Sequence, residues 1–124
     1  MKKIAVVVIG ALVLSGCAQR VADLTVASTK NYNLNGDKFV KGARVKGEDS
    51  KPVILVPLGM PNVKEAADLA IEQNKCAVAL ADVVVTQYNH SFFVGKVGVI
   101  VEGDLILDQT LPGCASSKLF DHLN

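Results

Sequence analysis

The hydrophobic positions of the chain begin with one unbroken run, Ile4 to Leu14, which follows Lys2 and Lys3. An apolar run of about 11 residues is too short to cross a bilayer as a helix, which needs about 20. Two cations, a short apolar run and then small residues form the pattern of a cleaved secretory signal peptide. We therefore expect the mature protein to begin just beyond this run.

One later segment has the 3.6-residue period of an amphipathic helix, and we place it from Asn62 to Asn74. Asn62 suits the N-cap, Glu65 follows three residues later as in a capping box, and Asn74 suits the end. The apolar positions of this segment are Val63, Ala66, Ala67, Ala70 and Ile71. Because alanines dominate this side, the helix can lie close to a sheet.

The pattern before this helix predicts strands. Residues 24–26 and 38–46 are separated by a segment with the Asn-Gly chemistry of a turn, so we expect them to form a hairpin. Residues 47–52 then form a polar break. The continuous apolar run Val53 to Val56 is typical of a short strand buried on both faces.

A second and longer hairpin is expected after the helix. Residues 82–88 form its first strand and residues 96–107 its second, in which apolar and charged side chains alternate. Residues 89–95 form the tip, and Gly103 marks a bulge. Together the elements predict an α+β fold: a small, mostly antiparallel sheet with the helix Asn62 to Asn74 packed on it.

Composition and charge narrow the class of protein. The chain has 124 residues, with 13 Lys and Arg against 12 Asp and Glu; without residues 1–16, which contain two of the lysines, 108 residues remain with 11 against 12. This length supports one domain, and a net charge near −1 does not predict nucleic-acid binding. The basic residues that lie closest together are Lys41, Arg44, Lys46 and Lys51. Glu48 and Asp49 lie among them, which favours a solvated face over a binding patch.

The end of the first apolar run carries a more specific motif. The tetrad Leu14-Ser15-Gly16-Cys17 resembles the lipobox of bacterial lipoproteins. The resemblance implies cleavage between Gly16 and Cys17, a lipid on the Cys17 thiol, and usually an acylated amino terminus. An Asp directly after the cysteine resembles the retention signal for the inner membrane in enteric-type bacteria, whereas this chain has Ala18. The resemblance therefore implies an outer-membrane lipoprotein that faces the periplasm, with the inner membrane as the less favoured address.

These assignments divide the chain into four parts. Residues 1–16 are the signal peptide, residues 17–23 the lipidated terminus with a short tether, residues 24–114 a single α+β domain, and residues 115–124 a C-terminal tail. Because the tether is short, we expect the domain to lie close to the membrane. The mature domain resembles small lipoproteins of the Gram-negative envelope; this resemblance implies a location in the cell and gives no information about activity.

Three cysteines are present, and a lipid on Cys17 leaves Cys76 and Cys114 as one pair. The periplasm is oxidising, and the two residues flank the open end of the second predicted hairpin, so we expect a disulfide between them. The alternative is two buried thiols that pack as small hydrophobic side chains.

Candidate catalytic and metal-ligating residues are few. His90 precedes Ser91, but neighbouring strand residues point to opposite faces, which favours a hairpin-tip role over a nucleophile and its base. Asp82 could meet Asp104 or Glu102 as paired carboxylates across the hairpin, although a solvated face explains them better. A metal set would comprise Cys76, Cys114, His90 and His122, whose spacing is not that of a metal site. We therefore expect no enzyme, no metal and no cofactor beyond the covalent lipid.

Phe92 and Phe93 are adjacent aromatic residues beside the predicted tip. One ring could cap the core, or the pair could form a contact loop for a partner protein or for the inner leaflet beside the anchor. We expect a membrane-anchored lipoprotein that acts as a structural or binding module of the cell envelope. The alternatives are an accessory protein in envelope stress or phage exclusion, and a small enzyme that acts on the cell wall or on lipid.

Overall fold

Two helices and five strands follow one another in the computed structural model, which describes residues 1–13, 17–30 and 39–114. The helices are α1 (Lys2–Val13) and α2 (Val63–Ile71). The strands are β1 (Cys17–Ala27), β2 (Phe39–Ile54), β3 (Val56–Pro57), β4 (Ala77–Ser91) and β5 (Val94–Asp108). All neighbouring strands pair antiparallel in one sheet of order β1-β4-β5-β2-β3. The predicted α+β fold with its antiparallel sheet is therefore confirmed.

The first helix, α1, has exposed side chains from Lys2 to Ile9. The apolar side chains from Ile4 to Ile9 therefore have little contact with the sheet. Within the described ranges, neither α1 nor α2 is long and apolar enough to cross a membrane.

The predicted amphipathic helix is present as α2, and Asn62 is its N-cap. The Asn62 Oδ1 atom accepts a hydrogen bond of 2.8 Å from the Lys64 N–H. The Asp49 carboxylate in β2 accepts the backbone N–H of Asn62 at 2.8 Å, so the sheet holds the start of the helix. The helix ends at Ile71 and not at Asn74, whose side chain accepts the N–H of Cys76 instead.

The backbone of α2 lies almost directly on the backbone of β2. At Gly47, an added Cβ would lie 1.9 Å from the carbonyl oxygen of Ala66, so a residue with a side chain cannot occupy this position without moving the helix. The alanine-rich side of α2 faces the sheet, as its pattern predicts. The core comprises Ala66, Ala67, Ala70 and Ile71 of α2 with Leu80, Val83, Val85, Val99, Val101, Leu105 and Leu107 of the sheet, among others.

The predicted first hairpin is wrong, because β1 and β2 are not neighbours in the sheet. β1 pairs with β4, and β2 pairs with β5. The predicted tether at residues 17–23 is also wrong, since β1 already begins at Cys17. Pairing with the long strand β4 satisfies the backbone groups on one side of β1, an interaction that the side-chain pattern of these residues does not reveal. The expected Asn-Gly turn lies outside the described residues.

The polar break predicted at residues 47–52 and the buried strand predicted at Val53 to Val56 are also wrong. β2 continues through the break and pairs with β5 as far as Ile54. Val53 is buried, but the next three residues are exposed because the chain reverses at Leu55, where φ is 63°, and returns as β3. Pairing with β5 keeps the polar residues in the strand, and the reversal carries the apolar run out of the core.

The second predicted hairpin is confirmed as β4 and β5, and both strands are longer than predicted. The two residues Phe92 and Phe93 connect them. The expected bulge lies at the predicted level, but its extra residue belongs to β4: Asp82 and Val83 stand opposite the single residue Gly103. Asp82 adopts a left-handed φ of 49° there.

The sheet has two ends that differ in chemistry. Its turn end contains Cys17 at the start of β1, the turn between β2 and β3, and the turn between β4 and β5. Its disulfide end contains Cys76, which precedes β4, and Cys114, which follows β5. Because β4 has 15 residues, the two ends are about 45 Å apart along the strand.

Candidate functional site

Cys17 is the first residue of β1, and its free thiol is exposed. It pairs with Asn89 of β4, on an edge strand at the turn end of the sheet. Residues 14–16 lie outside the described residues, so cleavage between Gly16 and Cys17 stays a prediction from the tetrad.

Phe92 and Phe93 form the turn between β4 and β5, where 70% and 61% of their surfaces are exposed. Their rings meet edge to face, with centroids 4.5 Å apart. Neither ring caps the core, which leaves the contact-loop alternative for this pair.

The turn between β2 and β3 lies beside this pair. The Leu55 N–H donates a hydrogen bond of 2.7 Å to the carbonyl oxygen of Phe93, so the two turns are joined. The exposed apolar residues in these turns and in the segments beside them are Ile54, Leu55, Val56, Leu58, Met60, Phe92, Phe93 and Val94. We call these eight residues the apolar end. Sequence reasoning missed the exposed apolar residues between positions 54 and 60, although Pro57 and Pro61 bracket residues 58–60 and signal the end of a strand there.

The sheet face opposite α2 carries a shallow cleft that no described helix or strand covers. The cleft has a volume of about 220 Å³ and is lined by Ala18, Glu48, Thr86, Tyr88, His90, Lys96 and Ile100. The Tyr88 ring lies against Gly98, where an added Cβ would be 2.4 Å from the ring. A glycine inside β5 therefore makes room for this ring.

Tyr88 is the centre of a polar network in the cleft. Its hydroxyl donates a hydrogen bond to Glu48 Oε1, and the Lys96 ammonium lies 3.5 Å from the same oxygen and 5.5 Å from the ring centroid. Burial raises the pKa of the Tyr88 phenol, and the hydrogen bond from Tyr88 lowers the pKa of Glu48. At neutral pH the phenol is a donor and the carboxylate is ionised, so the pair holds its proton and does not exchange it readily.

The structure brings Asp82 and Asp104 together, but a lysine lies between them. Lys41 Nζ is 2.7 Å from Asp82 Oδ2 and 3.0 Å from Asp104 Oδ2, and Arg44 is 3.3 Å from Asp104. The hydrogen bond from Lys41 lowers the pKa of Asp104. A carboxyl group with a lowered pKa is unsuited to act as a general acid, so this cluster is better described as a surface ion-pair network.

His90 and Ser91 do not form a nucleophile and base. The Ser91 hydroxyl donates to Asn89 Oδ1 at 2.5 Å, and the His90 ring lies beside Tyr88 with centroids 5.0 Å apart. Both residues belong to the end of β4, close to the hairpin tip that the sequence predicted for them.

The predicted disulfide joins Cys76 to Cys114, with Cα atoms 5.7 Å apart and both side chains buried. It connects the residue before β4 to the segment after β5. The bond removes both cysteines from the candidate metal set, and His122 lies outside the described residues. Within those residues, no group of three or more His, Cys, Asp or Glu side chains is placed to hold a metal ion.

The disulfide predicted from the sequence is thus confirmed, the roles of Cys17 and of the two phenylalanines stay predictions, and the turn after β2 and the network around Tyr88 were not predicted. Tyr88 carries no signal in the sequence, because its partners Glu48 and Lys96 come from two other strands. In comparisons with known proteins, no family model, no curated protein and no solved structure matches the chain.

Proposed function

We propose that this protein is a lipoprotein of the bacterial cell envelope, held in the outer membrane by acyl chains on Cys17 and facing the periplasm. One observation carries the proposal: the lipobox-like tetrad ends at Cys17, whose thiol is exposed at the start of β1. Acyl chains contribute about 0.8 kcal/mol per buried methylene, so two or three chains anchor a protein stably. The disulfide supports an oxidising compartment such as the periplasm.

We propose further that the domain acts as a structural or binding module and not as an enzyme. On the sheet face opposite α2, Glu48 is paired with Lys96 and hydrogen-bonded to Tyr88, and Asp104 is paired with Lys41. Such a face offers a shaped polar surface to another envelope protein. The covalent lipid is the one added group that the proposal requires.

Metabolic labelling with a fatty-acid analogue tests the anchor. The parent protein should incorporate the label, and Cys17→Ser should not, because the variant lacks the thiol to which the lipid is attached. A double variant with Cys76→Ala and Cys114→Ala is the matched control and should keep the label. Equal labelling of Cys17→Ser and the parent would disprove the anchor.

The proposed outer-membrane location is tested at Ala18, the residue after Cys17. In an enteric host, Ala18→Asp should move the acylated protein toward the inner membrane, while Ala18→Ser should leave it in place. Density-gradient separation of the two membranes measures the shift. An unchanged distribution of Ala18→Asp would contradict the proposed sorting.

The binding role and the enzyme alternative predict different results at the cleft around Tyr88. A photo-crosslinking residue at Ile100, inside the cleft, should give a reproducible adduct with an envelope protein. The same residue at Glu65, on the exposed side of α2, serves as the control. Turnover of a cell-wall or lipid substrate without an adduct from Ile100 would support the enzyme instead.

A further inference from the structure

We propose that the apolar end is a membrane-docking surface, which inserts its two turns into the same leaflet that holds the acyl chains of Cys17. This inference rests on the proposed lipid anchor and adds a second contact with the bilayer. It gives a role to the turn between β2 and β3, whose residues the sequence pattern predicts to be a buried strand.

The first argument is position. Cys17 pairs with Asn89, and Phe92 follows only three residues further along the same strand and turn. The turn between β2 and β3 is hydrogen-bonded to Phe93, so it lies at the same end. Neighbouring strands are about 4.8 Å apart, so β3, the strand farthest from β1, lies about 20 Å across the sheet from Cys17.

The second argument is that β1 leaves no slack between the anchor and the sheet. Because Cys17 is itself the first residue of β1, no linker separates the lipid from the turn end, so this end stays close to the membrane that holds the lipid. A protein partner for the apolar end would have to fit between that end and the bilayer. The lipid surface is therefore the occupant that this geometry favours.

The third argument is chemistry. Residues 53–61 and 92–95 contain no charged side chain, and Leu55, Met60 and Phe92 are 75%, 87% and 70% exposed. Contiguous apolar surface of this kind is uncommon on monomeric soluble proteins and marks contact surfaces. The nearest flanking lysines, Lys51 and Lys96, are paired with Asp49 and Glu48. Docking should therefore depend on apolar contact and little on anionic lipid or salt.

The fourth argument is the backbone of the turns. Leu55 has a left-handed φ of 63°, which is unfavourable for leucine and would suit glycine. An exposed leucine gains nothing from this position in water, but a membrane would bury it. The Leu55 and Leu58 N–H groups already bond to the carbonyl oxygens of Phe93 and Pro52, so insertion would not leave them unpaired.

The disulfide end shows the opposite character. Lys75 and Thr110 are exposed there, about 45 Å along β4 from the apolar end. Lys75 precedes the bonded Cys76 directly, so it has a fixed place at this end. This asymmetry supplies a matched control.

Tryptophan fluorescence tests the proposal, because the chain has no natural tryptophan. Phe93→Trp, Leu58→Trp and the control Lys75→Trp are each introduced into the full chain and produced in a host that processes lipoproteins. The purified proteins are reconstituted into vesicles of phosphatidylethanolamine and phosphatidylglycerol, with or without brominated acyl chains. The mass of the N-terminal peptide is measured in each sample to determine whether Cys17 is acylated.

We expect bromine to quench the indole of Phe93→Trp and Leu58→Trp and to shift their emission to shorter wavelength, while Lys75→Trp remains unquenched. If Cys17 is acylated and all three variants behave like Lys75→Trp, the docking surface is wrong and the lipid anchor stands. If Cys17 is unmodified and Phe93→Trp is still quenched, the anchor is wrong and the docking surface stands. An unmodified Cys17 with no quenching would overturn both.

Discussion

The close approach of α2 to β2 makes Gly47→Ala the sharpest test of the fold. The alanine Cβ would lie 1.9 Å from the Ala66 carbonyl oxygen and 2.6 Å from the Ala70 nitrogen, whereas ordinary contact begins at 3.4 Å. Both are backbone atoms of a helix, so no side-chain rotation relieves the overlap. The helix has to rise from the sheet by about 1.5 Å, the difference between 1.9 and 3.4 Å.

The energetic consequence follows from what α2 buries. Ala66, Ala70 and Ile71 have no exposed surface, and a gap of this size forfeits more than about half of the dispersion energy of their contacts. Overpacking together with the opened space should lower the free energy of unfolding by about 2–4 kcal/mol. A domain of this size has only about 5–15 kcal/mol in total.

Urea unfolding followed by circular dichroism measures this loss, and Gly59→Ala is the matched control. At Gly59 the nearest atom to an added Cβ is Lys51 Cγ at 3.4 Å, in a flexible and partly exposed side chain. We expect the Gly59→Ala midpoint to stay near that of the parent while the Gly47→Ala midpoint falls clearly. Equal midpoints for the two variants would refute the close packing of α2 on Gly47.

Three other measurements test the Cys76–Cys114 disulfide, the hydrogen bond between Tyr88 and Glu48, and the exposure of Phe93. Replacing both Cys76 and Cys114 by alanine should lower the free energy of unfolding by about 4 kcal/mol, because the bond spans 38 residues of the unfolded chain; a loss below about 1 kcal/mol in urea would contradict this. Tyr88→Phe removes the hydrogen-bond donor that lowers the pKa of Glu48. A carboxyl group whose pKa is lowered by folding stabilises the fold above its unfolded pKa of 4.5, and this stabilisation is lost as the pH falls through its folded pKa. The variant should therefore be less stable than the parent by more at about pH 7 than at about pH 3, and equal differences would exclude the Glu48 bond as the cause. Phe93→Ala should shift stability by less than about 1 kcal/mol, against about 3–5 for a buried ring, because 61% of the residue is exposed; a larger loss in a thermal melt would mean that the ring packs in the core.

Local patterns were sufficient for elements whose partners are close in sequence. The helix α2 follows from its N-cap Asn62 and from apolar positions at helical spacing, since both are interactions within one or two turns. The hairpin of β4 and β5 follows from alternation on both sides of a short tip. The disulfide follows from the same hairpin, because antiparallel strands return to the level at which they began.

Such local patterns do not predict which strands pair when the strands are distant in sequence. β1 joins β4 across about 60 residues, and β2 joins β5 across a similar distance, so neither pairing leaves a mark in its own side chains. The polar residues 47–52 predict a break in the strand when taken alone, but in the fold they pair with β5 and continue β2. The pairing of Tyr88 with Glu48 and Lys96 depends on those same registers.

The sequence by itself determined the helix, the late hairpin and the cysteine pair, and it contains the lipobox-like tetrad ending at Cys17, because each depends on residue type and short-range spacing. Only the tertiary structure decided that the run from Val53 to Val56 leaves the core, since burial depends on which strands lie above and beside a segment. An apolar run has the same composition inside a sheet and at its end. The register of β2 on β5 and the reversal at Leu55 place this run at the turn end of the sheet, beside Phe93 and at the same end as Cys17.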